Sequence, residues 1–257
     1  MNPERVSEKR HWNDFWKRDS DVSEVYDNEN RVGRHLSGIA PVAGMRVLEV
    51  GAGTGRDGIL MARQGASVVS LDYSPVSLGI IGGQLSGNDD VALCCADAFA
   101  LPFPDATFDL VFHQGLLEHF RNPREMIAEH RRVLRDGGLI LVDVPQRWHY
   151  YTPVKRLLIA AGRWFAGWET EFSPRELESM LAGCGFEIVK TYGEWLNPPI
   201  WYRMLRKSLI GAGIRLPMRP GIFALTRRAF APLRERALRS RAMIYTAVVI
   251  GTIARKK

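Results

Sequence analysis

Three glycines and two acids carry the first readable chemistry of this chain. Gly51, Gly53 and Gly55 alternate through Gly51-Ala52-Gly53-Thr54-Gly55, directly after the apolar run Val47-Leu48-Glu49-Val50. Glycines at that spacing let a backbone approach a ligand closely, and a helix starting there offers unpaired N–H groups and the positive end of its dipole. Asp72 closes the next apolar run, about twenty residues on, where a carboxylate can accept from both hydroxyls of a ribose. A dinucleotide site needs Gly-x-Gly-x-x-Gly to seat a pyrophosphate on the helix. Here the third glycine comes one residue early and Arg56 holds the expected position. The turn, preceded by Glu49, suits a nucleoside ligand without pyrophosphate and disfavours a nicotinamide oxidoreductase.

Groups able to move a proton are fewer. His113, His119, His149, Tyr150 and Tyr151 are the candidates. His119 and Glu118 read as structural helix residues, and His130 reads as solvated on a charged helix face. Cys94, Cys95 and Cys184 form no plausible structural disulfide: neighbouring strand residues point to opposite faces, and one cysteine is distant. No Cys/His cluster has zinc-like spacing, so no structural metal is expected.

The elements that must hold these residues alternate regularly. Strands are expected at 46–50, 67–71, 91–95, 109–112, 139–142 and 186–189, with helices between them. Asn122-Pro123-Arg124-Glu125 and Ser173-Pro174-Arg175-Glu176 both read as capped helix starts. Residues 243–253 read as a closing strand and 255–257 as a frayed tail. Such an order indicates an α/β fold, a doubly wound parallel sheet covered on both faces. Residues 1–44 read as an N-terminal helical cap and 45–257 as one domain, interrupted by irregular insertions at 146–172 and 196–240. Trp12, Phe15 and Trp16 recur at helical spacing. Trp12, Trp16 and Tyr26 are candidate lid residues, and packing of the two tryptophans on the core is an equal alternative.

The motif series resembles the class I S-adenosylmethionine-dependent methyltransferases. Val47-Leu48-Glu49-Val50-Gly51-Ala52-Gly53-Thr54-Gly55 is similar to their first motif, and Leu71-Asp72-Tyr73-Ser74 to their acidic second motif. Ala96-Asp97-Ala98, Leu101-Pro102-Phe103, Phe108-Asp109-Leu110-Val111, Leu117-Glu118-His119 and Val133-Leu134-Arg135-Asp136-Gly137-Gly138 continue it. The closest likeness is to the small-molecule branch typified by quinone- and biotin-pathway enzymes. The resemblance covers about residues 45–145, with a continuation at 173–190. It implies a Rossmann-like seven-stranded sheet whose last strand is antiparallel, with helical lid insertions. It implies S-adenosyl-L-methionine as cofactor and methyl transfer as the activity. Gly51, Ala52 and Gly53 would pass beneath the methionine moiety, with Glu49 just before them. Asp72 would hold the ribose, Tyr73 would lie against adenine, Asp97 would accept from the adenine amino group, and the Ala98 backbone would meet the ring. His113 would face the sulfonium and amino-acid end, where it is the candidate catalytic residue. The alternative is a non-catalytic cofactor-binding or membrane-surface protein retaining the fold.

Composition bounds the partners. The chain has 257 residues, 46% apolar and 25% charged, with a net charge of +7. That balance is ordinary for a globular protein and mildly favours anionic partners. The bases concentrate, with interleaved aromatics, in 196–240. Three readings stay open there: a pocket for an anionic or lipid-like small-molecule acceptor, a patch meeting acidic head groups at a membrane, or a solvated helical insert. Nucleic acid is not expected, since no recognised binding module is present. The N-terminus lacks the apolar core of a signal peptide, and 242–254 is roughly half a bilayer span. The expected location is cytoplasmic, with membrane-peripheral contact as a variant of the second reading.

Overall fold

The central strands of the sheet are built from residues that alternate between two apolar layers. The computed structural model describes residues 8–18, 30–164, 166–211, 213–238 and 240–257. In β1 (Arg46–Val50), Leu48 and Val50 enter one core, while Val47 enters the other. β4 (Phe108–Gln114) does the same, with Val111 on the first side and Leu110 and Phe112 on the second. Strands buried on both faces are the signature of a parallel sheet sandwiched by helices.

The first layer is covered by α5 (Arg124–Val133) and α7 (Pro174–Gly183), through Met126, Ile127, Leu177 and Leu181. The second is covered by α2 (Arg31–Leu36) and α3 (Arg56–Ala62), through Val32, Leu36 and Met61. α7 begins with the expected capping box: Ser173 Oγ accepts from the Glu176 N–H, and the Glu176 carboxylate accepts from Ser173 N–H at 2.8 Å. α5 does not. Its N-cap is Pro123, without a side-chain cap, so Asn122 does not cap as the sequence suggested.

Seven strands form one sheet in the order β3-β2-β1-β4-β5-β7-β6. β1 pairs in parallel with both β2 (Ser67–Asp72) and β4; β2 pairs in parallel with β3 (Val91–Cys95), and β4 with β5 (Leu134–Pro145). β7 (Val249–Lys256) runs antiparallel between β5 and β6 (Phe186–Glu194). This is the seven-stranded Rossmann-like arrangement with an antiparallel last strand. The strand order reverses at β1, with β2 on one side and β4 on the other, so a crevice opens at their carboxyl ends.

Three details depart from the sequence reading. β5 starts at Leu134, directly after α5, and a register shift opposite Phe108–Leu110 is absorbed around Gly137 at φ +72°. Residues 241–244 form a short helix, α10 (Arg241–Ile244), so the closing strand begins only at Val249. Its end is not frayed: Lys256 pairs with Phe186, and its Nζ donates to the Leu134 carbonyl at 2.7 Å. The insertions are helical, as the resemblance implied. The first carries α6 (Thr152–Ala160), the second α8 (Ile200–Gly211) and α9 (Gly221–Leu238). The remaining helices are α1 (Lys9–Arg18) and α4 (Pro75–Gly82). Among the described residues, no helix is long and apolar enough to cross a membrane.

Candidate active site

The crevice at the ends of β1 and β2 holds a cavity of about 440 Å³, within the size range of small-molecule sites. Its floor is the glycine turn. Gly51 and Gly53 adopt φ of +64° and +57°, a region costly to residues with a Cβ. The space is filled as well: a Cβ on Gly53 would meet Trp16 Cζ2 at 2.9 Å, and one on Gly51 would meet Leu116 Cδ1 at 3.0 Å. Only glycine lets the backbone line the cavity here.

Asp72, at the end of β2, is 7% exposed and lines the same cavity. One carboxylate oxygen accepts from Gly53 N–H at 2.9 Å and the other from Ser74 N–H at 2.8 Å. Ser77 Oγ donates to the Gly53 carbonyl at 2.7 Å. The glycine turn and the start of α4 are thus clamped through one carboxylate. Burial raises the Asp72 pKa, and the two backbone N–H groups oppose that shift.

Glu49 also lines the cavity. It accepts from Ser70 Oγ at 3.2 Å, and burial, with Asp57 next, holds its carboxyl well above the usual range. A Cβ at Gly58 would lie 2.4 Å from Glu49 Oε2, so this glycine makes room for the acid. Sequence reasoning missed Gly58 because it sits outside the glycine motif, inside a helix. Tyr73, Ala52 and Ala98 line the cavity as well. Asp97 does not, although its neighbours Ala96 and Ala98 do; its Oδ1 accepts from Phe99 N–H at 3.1 Å.

His113 is a correction. It is fully buried and absent from the cavity wall. On a strand of period two it shares a face with Val111, the face that α5 covers. Its ring lies 5.3 Å from that of His130, which is equally buried rather than solvated. Burial lowers both pKa values, that of His130 to about 3. The cavity position belongs to the next residue, Gln114, which donates to Asp57 Oδ2 at 2.7 Å and accepts from Arg31 Nη2 at 2.8 Å.

The roof comes from α1. None of its residues is buried, so it does not pack into the core; Trp12, Phe15 and Trp16 face the cavity instead. Ser74 Oγ donates to Asn13 Oδ1 at 2.6 Å and Lys9 Nζ stands 5.0 Å over the Tyr73 ring, which fixes the helix across the crevice. Tyr26, Arg239 and the side chains of Arg227, Arg228 and Arg234 lie outside what the structure describes.

Glu118, His119 and Glu169 line the same cavity. Leu117–His119 is a 3-10 turn that swings both polar side chains onto the cavity. The carbonyls of Trp168 and Gly115 face the His119 ring, Nδ1 has no hydrogen-bond partner, and burial lowers its pKa. Trp12 sits edge-on to it at 4.8 Å. Burial, with the charge of Glu169 next, pushes Glu118 up to about 8. Behind them, buried Lys155 pairs with Glu169 at 3.1 Å and Glu171 at 3.2 Å. His149, although buried, and Tyr150 and Tyr151 do not reach the cavity.

A family profile described as a methyltransferase domain matches residues 48–142, the stretch that carries the glycine turn, Asp72, Glu118 and His119. The chain is 31% identical over 175 residues to a ubiquinone biosynthesis O-methyltransferase of Rhizobium etli, covering 65% of this chain and 69% of that protein. It belongs to the S-adenosylmethionine-dependent methyltransferases. A demethylmenaquinone methyltransferase of Clavibacter sepedonicus is 38% identical over 132 residues, 48% of this chain; the match spans about half of that relative, 54%. The magnesium protoporphyrin IX methyltransferase of Synechocystis, solved with S-adenosylhomocysteine, has the same fold: TM-score 0.62, 14% identity, with 97% of this chain and 99% of that one covered. The methyltransferase cofactor is S-adenosyl-L-methionine, and the cavity fits it. The turn that a Cβ would block, the buried carboxylate at the end of β2 and the aromatic roof suit the amino-acid, ribose and sulfonium parts of one nucleoside.

Proposed function

We propose that the chain methylates a quinone-like, lipid-like small molecule. The acceptor class follows the printed names of its relatives, a demethylmenaquinone and a ubiquinone-biosynthesis methyltransferase. The observation that carries the reading is one cavity lined together by the glycine turn, Asp72, His119, Glu118 and Glu169. Bound there, the sulfonium supplies an already activated methyl group.

The protein's own residues align and enclose. Gly51, Ala52 and Gly53 would lie under the methionine moiety, with Glu49 beside them. Asp72 would accept from the ribose hydroxyls; Tyr73 and Ala98 would flank the adenine, and Asp97, just outside the cavity wall, would have to turn inward to accept from its amino group. Trp12 and Trp16 exclude water and present aromatic faces to a cation. His119 takes the proton role first assigned to His113: its bare Nδ1 can accept the proton of an acceptor hydroxyl. The protein works as a cytoplasmic enzyme that meets its acceptor at a membrane surface through the basic-aromatic insert.

Calorimetry with S-adenosylmethionine and S-adenosylhomocysteine, paired with methyl transfer from labelled cofactor to demethylated quinols, tests this. Asp72→Ala should bind both nucleosides more than about tenfold more weakly, because two ribose hydrogen bonds are lost. His119→Asn should keep the affinity and lose at least about a hundredfold in kcat. Unchanged affinity in the first variant would remove the ribose from Asp72, and unchanged kcat in the second would remove the base.

A further inference from the structure

We propose that α8 and α9 together form a docking face for an anionic lipid bilayer, their apolar stripes entering the interface while flanking bases meet phosphate head groups. This deepens the membrane part of the reading above, yet it stands on residues that the cofactor site does not use.

α8 is built inside out. Trp201, Met204 and Leu205, at helical spacing, are 38–53% exposed, while Tyr202 and Arg206 are buried on the other side. The buried pair is committed to the connection between the helices: Tyr202 OH donates to the Pro217 carbonyl at 2.7 Å and Arg206 Nε to that of Leu216 at 3.0 Å. α9 repeats the pattern. Ile222, Leu225, Phe230 and Leu233 lie on one side of the helix and are 60–70% exposed. The two helices touch through rings, Phe223 lying 5.8 Å from Trp201 and 5.1 Å from Tyr202, so the stripes are neighbours on one surface. Soluble proteins rarely leave so many large apolar side chains exposed together without a partner.

Charge selects the partner. Residues 200–238, the two helices and their connection, contain nine Arg or Lys and one acid, Glu235, whereas the rest of the chain is close to neutral against the net +7. Lys207 and Arg215 are exposed. Apolar stripes on a strongly basic pair of helices match a membrane interface with acidic head groups. A nucleic acid would use the charge and leave the stripes wet. A second copy of the chain would bring its own bases against these. Neither helix is apolar enough to cross the bilayer, which fits lying in its surface.

The test is co-sedimentation of the full chain with vesicles of phosphatidylglycerol and phosphatidylcholine, against phosphatidylcholine alone. Partition onto the anionic vesicles should be at least about tenfold higher and should fall with salt. The double variant Leu225→Glu, Leu233→Glu should lose at least about tenfold of that partition. Both positions are exposed, so its affinity for S-adenosylhomocysteine should stay that of the parent, which separates docking from folding. Lys207→Glu with Arg215→Glu should weaken binding to anionic vesicles only. Equal partition on both vesicle types, an unaffected leucine variant, or a dimer in sedimentation velocity that the leucine variant dissolves without any vesicle binding would overturn the proposal. Vesicle binding retained by a chain that fails to bind the nucleoside would count against the methyltransferase reading and leave the docking face standing.

Discussion

Gly53 concentrates two constraints in one residue. Its φ of +57° and its approach to Trp16 are independent costs to any side chain. Gly53→Ala should therefore lose about 1–2 kcal/mol of stability from the backbone term alone, read by chemical denaturation, and should bind cofactor more weakly. Adding Trp16→Ala should relieve the steric part and leave the backbone part. A double variant as stable as Trp16→Ala by itself would show that φ carries no strain. The glycine motif was legible because its chemistry is local: three alternating glycines between a strand and a helix admit few uses. Gly58 was not legible, since its partner Glu49 is reached only when α3 lies on the sheet. His113 lies in the core and His119 on the cavity for a similar reason. Which of two histidines faces a cavity depends on strand parity and on where a 3-10 turn points, and neither is written in a motif.

At the scale of elements, α2 is held to the sheet by charge. Arg31 Nε donates to Asp143 Oδ2 at 2.6 Å inside the protein, and Tyr192 OH donates to the other Asp143 oxygen at 2.6 Å. At the far end of α2, Glu194 of β6 pairs with Arg34 at 3.1 Å and His35 at 2.9 Å. Arg31→Leu should cost roughly 3–5 kcal/mol, because it leaves a buried carboxylate uncompensated. Adding Asp143→Asn should recover part of that loss. A change below about 1 kcal/mol in equilibrium unfolding would mean that water reaches Asp143. The core elements were readable: β1 and β3 begin and end where alternation placed them. The insertions read as irregular because α8 and α9 turn apolar residues outward, so the inward-facing pattern that marks a soluble helix is missing.

The whole molecule couples stability to pH through buried titratable groups. Glu118 keeps its proton up to about 8 when folded but releases it near the ordinary value of 4.5 when unfolded. Between these limits the native state binds more protons, so stability falls as pH rises, by up to roughly 1.4 kcal/mol per unit. Glu118→Gln should abolish that fall: its stability relative to the parent should grow from pH 4.5 to 8 and stay level above. Parallel denaturation curves across that range would show that Glu118 is ionised in the folded protein. His130 has the opposite sign. Its pKa of about 3 lies below the ordinary 6.5, so it erodes stability as pH drops through that interval.

The sequence by itself determined the sheet, the glycine turn and the acid that faces it, because hydrophobic period and glycine spacing act over a few residues. Only the tertiary structure decided which side chains share the cavity. α1 reaches the glycine turn through Trp16, and the turn at 117–119 delivers His119 and Glu118 to the same cavity. It also decided that the basic insert presents an apolar face. Those outcomes depend on contacts between residues far apart in sequence, whose closeness is set by the packing of the whole sheet and its helices.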